Sequence, residues 1–481
     1  MGVEVANPLR FRREAGRPVP QDQFAKPRRG ASSNAVLGMG LWLLLWLGYN
    51  TGPGYVMDPN FPANTTELIH GVRAFFPILA GWFAVLMIFA RSSRLFPWIV
   101  GPLGLMLLYA IIGLTSSAIE SPDPIYALYF GGNYLAIVLV LLAIVLVEDP
   151  LPDLRNVLTL TWIWGTLTTL SLLGAIPFVG SQAIIETEGT PVGFRAYGGA
   201  GEIMGMASTR NTGFARYAAI SALVALPGLM RKGRLPIRII WGIAFTASLY
   251  ALIIANGRTE TLAFVGSVAV ILVAERTKRT VNILVATAAA ILLGLRGFFS
   301  GFFLYITRTG RVDTTMTGRT VTWEEGLHLL WKSPWMGFGF QADRYFLAQH
   351  MHNAFLHVLI QSGLLGGVAI LIGLVIVWVY LIKYFFLQQP FDKSLIPPEI
   401  PAVFLFVTIS SIAESTFAYF SAAWLLSAPI VAYVMALHRH MRRISAKSAQ
   451  ERALRARLAR RERYLGSPPG VSFPAGGWIP D

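Results

Sequence analysis

The chain has 481 residues, of which 54% are hydrophobic and 14% charged, and it contains no cysteine. Soluble domains are about a quarter charged, so a soluble globular protein is excluded, and the missing cysteine excludes disulfides, thiolate metal sites and thiol nucleophiles. The net charge of +15 does not point to nucleic acid: residues 1–33 carry seven Lys/Arg against three acids and residues 439–481 carry ten against three, the positive-inside pattern of basic tails beside membrane helices.

In chain order, the basic tail 1–33 leads into apolar runs near 35–50, 74–90, 97–117, 125–147, 157–178, 212–230, 236–255, 259–274, 281–305, 363–382, 400–417 and 421–437. Many approach the roughly 20 residues that cross a bilayer core. The expected fold is an all-α polytopic membrane protein with about 12 transmembrane helices. Its layout is a tail over 1–33, nine spans over 34–305, an outer segment over 306–362, three spans over 363–437 and a second tail over 438–481. No apolar h-region with a small-residue cleavage site stands at the N-terminus, so no removable signal peptide is expected. An even number of spans puts both tails in the cytoplasm. Two segments, about 179–211 and 306–362, then lie outside. The second holds the amphipathic "TWEEGLHLLWKSPW", expected to form a short surface helix with Glu324 and Glu325 in its first turn and Pro334 at its end. The C-terminal tail has helix-forming composition and serves equally as a topology signal or as an anchor on anionic membrane lipid.

On this topology eleven of the 40 Lys/Arg fall outside: Arg73, Arg195, Arg210, Arg216, Arg258, Arg296, Arg308, Arg311, Arg319, Lys332 and Arg344. Ten of them are arginine. Solvation has no need to choose between the two cations, whereas bidentate recognition of phosphate favours the planar guanidinium. The outer arginines therefore point to an anionic ligand. The alternative is that they snorkel or pair with acids such as Glu186, Glu188, Glu202, Glu260 and Asp313.

In "STRNTGFARYAAI", Asn211 or Thr212 can cap a helix, with Arg210 ahead of it and Arg216 just over one turn inside. An intramembrane charge costs about 2.5–3.5 kcal/mol on insertion scales, so Arg216 is either functional or paired with an acid such as Glu414. In "ANGRTETLAF", Arg258 opens a span whose free N–H groups face the same region. In "TGRTVTWEEGLHLLW", Arg319 stands just ahead of the surface helix. In "HMHNAFLHVLIQSGLLGG", Asn353 is a candidate N-cap beside His352. The helix N-terminus disfavours an imidazolium there, so His352 is expected to accept a proton. Gly363 and Gly366, one turn apart, either allow a close helix approach or mark a break between a short helix over 354–362 and the span proper. A metal site from His350, His352 and His357 is disfavoured, because H-x-H-x4-H does not place all three on one helix face, and His357 reads as a packing histidine.

These residues together resemble the O-antigen ligase/polymerase superfamily. His352–Asn353, nine residues, then "GLLG" matches that family's H-[N/S/Q]-x9-G-x-x-G pattern, and "RTETL" its R-x3-L element. "GRTVTW" followed by "KSPWMGFGF" and "HN" is similar to its core, "RNTGFARYAA" to a segment opening a span, and Glu414 falls where the family carries an acid. The similarity extends over about 190–430. The resemblance implies a C-type glycosyltransferase of the bacterial inner membrane, acting at the periplasmic face without metal or cofactor and inverting the anomeric centre. It implies an undecaprenyl-pyrophosphate-linked glycan as donor. The acceptor would be lipid A core in a ligase, or a second lipid-linked glycan in a polymerase. It assigns pyrophosphate binding to Arg258 and Arg319, with Arg210 and Arg216 as further candidates, and base or acceptor-orienting chemistry to His352 with Asn353 in support. Gly363 and Gly366 are carried over as part of the same motif. A small-anion transporter is the reading from another class. Transporters of that kind show internal symmetry, which the sequence lacks.

Overall fold

A computed structural model describes residues 33–49, 65–179, 185–186, 209–231, 233–255, 257–275, 319–347, 350–387 and 395–464. These are almost wholly helical. In order they form α1 (Ser33–Leu47), α2 (Thr65–Ala74), α3 (Phe76–Ala90), α4 (Phe96–Ile99), α5 (Pro102–Ile119), α6 (Pro124–Val145) and α7 (Pro150–Val179). A two-residue parallel pair, β1 (Ile185–Glu186) and β2 (Thr209–Arg210), precedes α8 (Asn211–Met230), α9 (Leu235–Ile254) and α10 (Arg258–Glu275). Then come α11 (Arg319–Lys332), α12 (Ala342–Phe346), α13 (Ala354–Leu381), α14 (Glu399–Ser410) and α15 (Ala422–Tyr464).

Burial sorts the helices. Most of α6 and the first four turns of α15 are enclosed, and with α5, α8 and α14 they build one continuous core. The peripheral helices α3 and α9 turn large apolar side chains outward, among them Trp82, Phe89, Ile240 and Ile243, as a lipid-facing surface requires. Eight helices among the described residues are long and apolar enough to cross a membrane, and two apolar helices, Val36–Leu47 and Glu399–Ser410, are shorter.

Several boundaries differ from expectation. The span expected over 281–305 lies outside the described residues. The span expected over 97–117 is divided between α4 and α5, with Pro102 in the first turn of α5, where its missing N–H costs nothing. The span expected over 400–417 stops at Ser410. Residues 411–421 are irregular and mostly buried. Serine hydroxyls there bond to the backbone: Ser411 Oγ donates to the Val407 carbonyl, which also accepts from Ser411 N–H at 3.0 Å, and Ser421 Oγ donates to the Thr416 carbonyl and accepts from Trp424 N–H at 3.1 Å. Irregular backbone at membrane depth survives only when enclosed by protein or lining a cavity. The last helix does not end at 437 but continues unbroken to Tyr464.

The helix α13 begins at Ala354 and is interrupted at Ser362 and Gly363, the break between a short helix and the span proper that the glycine pair offered as one of its two readings. The turn over 334–339 repairs the break. Leu364 N–H donates to the Pro334 carbonyl at 2.7 Å, Phe338 N–H to Ile360 at 2.9 Å and Gly339 N–H to Gln361 at 2.9 Å. Gly363 has φ +59°, and a Cβ there would run into the Trp335 backbone. Only glycine adopts that conformation at no steric cost. Gly363→Val is therefore expected to destabilise the protein by ~2–4 kcal/mol, the sum of backbone strain and overpacking. Thermal unfolding in lipid nanodiscs measures it.

Candidate functional site

The break in α13 leaves its first two turns, 354–361, turned against α11 and the irregular segment 411–421, and this brings the sequence motifs together. Asn353 is the N-cap, its Oδ1 accepting from Leu356 N–H at 3.0 Å. Ala354 N–H donates to the Ser411 carbonyl at 2.9 Å, which ties the start of α13 to the irregular segment. Between these anchors His352 sits at φ +48°, a region that non-glycine residues seldom occupy and that local contacts must enforce.

The enforcing contacts converge on Asp343. Its Oδ2 lies 2.9 Å from His350 Nδ1 and accepts from Met351 N–H at 2.9 Å. Its Oδ1 lies 3.1 Å from His357 Nε2. His357 Nε2 also meets the Gln361 amide at 2.6 Å, and the Tyr109 hydroxyl lies between Gln361 Oε1 (2.5 Å) and the Ala418 carbonyl (2.7 Å). The Met351 carbonyl accepts from Trp323 Nε1 at 3.0 Å. Residues on either side of His352 are thus pinned, and its backbone follows.

The knot differs from the histidine cluster considered from sequence. His350 and His357 come together with Asp343, while His352 points elsewhere. The three groups offer ligand atoms within 4.8 Å of one another, a set that by distance could hold an ion. Asp343 Oδ2, however, is committed to a backbone N–H as well as to imidazole, so the arrangement works as a hydrogen-bonded clasp as it stands. Nothing in the sequence spacing of Asp343 marks it as a partner of these histidines.

The second cluster surrounds Glu414, in the irregular segment. Glu414 Oε2 lies 3.3 Å from Arg216 Nη2 and 3.5 Å from His352 Nδ1, and Oε1 lies 3.3 Å from Arg319 Nη2. Arg216 Nε also faces Glu260 Oε1 at 3.6 Å. Both guanidiniums are held by backbone: Arg319 Nη1 donates to the Ala413 carbonyl at 2.7 Å and Arg216 Nε to the Thr212 carbonyl at 3.0 Å. The side chains of Arg216, Arg319 and His352 are 12%, 24% and 28% exposed, against 5% for Glu414 and 1% for Glu260. The cluster therefore opens on the side of Arg319 and His352, with the acids at its floor.

Three expected site residues meet here: Arg216, Arg319 and His352. Arg319 is the first residue of α11 rather than a residue ahead of it, and this moves Glu324 and Glu325 out of the first turn. Arg258 opens α10 two residues before Glu260 and is half-buried. The Arg210 backbone lies in β2, paired with Glu186. Gly363 and Gly366 are buried in the α13 break and against Ile112 of α5. Arg73 takes up the end of α1, its Nε donating to the Leu47 carbonyl at 2.7 Å and its Nη2 to Tyr49 at 3.1 Å. Arg195, Arg296, Arg308 and Arg311 lie outside the described residues. Glu260 was considered only as a pairing acid, yet it forms the floor of the cluster. A carboxylate in an apolar helix is the signal that could have found it.

Residues 242–371 match the family model described as O-antigen ligase, and the match supports the O-antigen ligase superfamily. It contains Arg258, Glu260, Arg319 and His352, and is narrower than the 190–430 over which the motifs were read; Arg216 and Glu414 fall outside it. No curated protein matches the chain.

Burial pushes His350 down to about 4 from its ordinary 6.5. Burial alone would raise Asp343, but His357 and His350 beside it outweigh that and hold it well below the usual carboxylate range. His350 binds fewer protons folded than unfolded, so stability falls as pH drops from about 6.5 towards 4, and Asp343 adds to the loss only at still lower pH. The expected loss between pH 7 and pH 5 is a few kcal/mol. His350→Asn keeps a donor for Asp343 and should flatten the thermal midpoint's dependence over that interval.

Proposed function

We propose that this protein, with its O-antigen ligase domain over residues 242–371, transfers a glycan from undecaprenyl pyrophosphate to an acceptor hydroxyl at the outer face of the bacterial inner membrane, with both termini in the cytoplasm. The acceptor in this reading is lipid A core. The observation that carries the proposal is the convergence of two backbone-held guanidiniums with His352, on a left-handed turn, around one opening.

The chemistry follows from these groups. The acceptor oxygen forms a bond to the anomeric carbon as the carbon–oxygen bond to pyrophosphate breaks. The bonding pair leaves on the pyrophosphate, where charge builds. Arg216 and Arg319, fixed in advance by carbonyl groups, suit the stabilisation of that charge, because preorganised donors need no rearrangement during reaction. Arg258, at the N-terminus of α10, is the further candidate for the same anion. The acceptor proton goes to His352. With Nδ1 turned to Glu414, Nε2 is the atom left to take it, and the long Nδ1 contact fits a site that tightens only when substrate is bound. Attack opposite the leaving group inverts the centre. The balance of charge and proton is met by side chains, so the mechanism is drawn without a metal. His350 and His357, held by Asp343, position the turn.

Reconstituted protein is expected to move glycan from undecaprenyl pyrophosphate onto lipid A core, with transfer surviving EDTA. Products that lengthen from donor alone would identify a polymerase instead. His352→Ala should lower the transfer rate by about 10²–10⁴-fold, the span of general base contributions. Arg319→Ala should lower it by about 10²–10³-fold, as removal of one charge-stabilising donor does. Full activity in the His352 variant would end its assignment as base.

A further inference from the structure

The two buried clusters differ in tightness. Around Asp343 the contacts are 2.9, 2.9 and 3.1 Å. Around Glu414 they are 3.3, 3.3 and 3.5 Å, with Arg216 Nε 3.6 Å from Glu260. Charge-assisted N–H to carboxylate bonds close to about 2.7–2.9 Å when both partners can approach. Here they do not close, because each guanidinium has committed its better hydrogen bond to a carbonyl, Arg319 to Ala413 and Arg216 to Thr212. The guanidiniums would keep their places if Glu414 left. Glu414 stands between them as an occupant and not as their support.

We propose that Glu414 is a built-in stand-in for the donor's pyrophosphate: it fills the space between Arg216 and Arg319 at rest, gives way to the incoming anion, and then turns its carboxylate to His352 Nδ1. This rests on the donor chemistry above and adds the order of events to it. The exchange follows from charge. Two guanidiniums and two carboxylates already balance in the resting cluster, so an anion entering beside Glu414 would meet like charge. An anion replacing it meets two guanidiniums with only Glu260 left beside Arg216, a net positive site. Glu414 sits on irregular backbone, which can adjust by small rotations that a helical residue could not make without breaking its ladder. His352 Nδ1 is the next donor in its reach, at 3.5 Å. Closing that gap fixes the proton on Nδ1 and leaves Nε2 to accept. The base is then completed only when donor is in place, which keeps Nε2 from activating a stray nucleophile in an empty site.

The test needs no turnover. Protein in nanodiscs is titrated with inorganic pyrophosphate, and affinity is read by calorimetry and by the shift in thermal midpoint. Glu414→Gln should bind pyrophosphate about tenfold more tightly than the native protein, the scale of one competing charged hydrogen bond. Glu414→Asp, which keeps the charge but shortens its reach, should shift affinity in the same direction by less. It carries the test if the Gln variant fails to fold. Arg319→Ala should weaken binding in both backgrounds. Equal or weaker binding by the Glu414 variants would overturn the exchange and make Glu414 a support for the arginines. In the transfer assay, Glu414→Gln should lower KM for the donor and lower kcat together, a split that a merely structural role would not produce. Pyrophosphate affinities as expected, with no transfer to any acceptor, would leave the exchange standing and remove the transferase reading alone.

Discussion

Everything at the opening beside Arg319 and His352 depends on how one carboxylate is kept among guanidiniums away from water. Removing Glu414 from solvent carries a desolvation cost that only paired charge can offset, and it is paired by Arg216 from α8 and Arg319 from α11. Those helices are far apart in the chain and meet at this one carboxylate. The backbone obeys the same constraint. A continuous helix through 411–421 would fix the Glu414 direction by its register. The chain unwinds at Ser411 instead, the Ser411 carbonyl accepts from Ala354 N–H, and the hydroxyls of Ser411, Thr416 and Ser421 bond within the segment. The mostly buried position of the segment is what makes such irregularity tolerable at membrane depth.

The Asp343 clasp answers a different need. A histidine at φ +48° does not hold itself there. Asp343 grips the residues just before His352 through His350 and Met351 N–H, Trp323 grips the Met351 carbonyl, and Ser411 grips Ala354 beyond it. The side chain of Met351 is wholly buried and reaches Gly326 of α11, where a Cβ would collide with it. Strain at one residue is thus met by ordinary hydrogen bonds at its neighbours. This is how functional sites hold costly backbone conformations.

The two clusters divide the work of the site. One is closed and built from short contacts. The other is open at Arg319 and His352 and built from stretched ones. A rigid turn beside an adjustable anion site is the combination that positions a proton acceptor while letting a charged ligand enter.

Amino-acid order alone determined the membrane class, the positions of most helices and the neighbourhood of His352. These features are local: apolar runs, basic tails, a cap residue and a glycine pair all act through adjacent residues. It also placed Arg216 against Glu414 as one of two readings, because a buried arginine demands either a ligand or an acid. Tertiary structure decided the rest. The end of α14 at Ser410 and the union of Asp343 with His350 and His357 arise from contacts between distant segments, and periodicity carries no record of those; the break of α13 was one of two readings of the glycine pair, and the fold selected it. Both interruptions fall inside apolar runs, at the short polar stretches "QSG" and "SSIAEST". They persist because backbone groups left at each interruption are taken up from elsewhere, by the 334–339 turn in one case and by Ala354 N–H and the Ser421 hydroxyl in the other. Such replacement is visible only once the chain is folded.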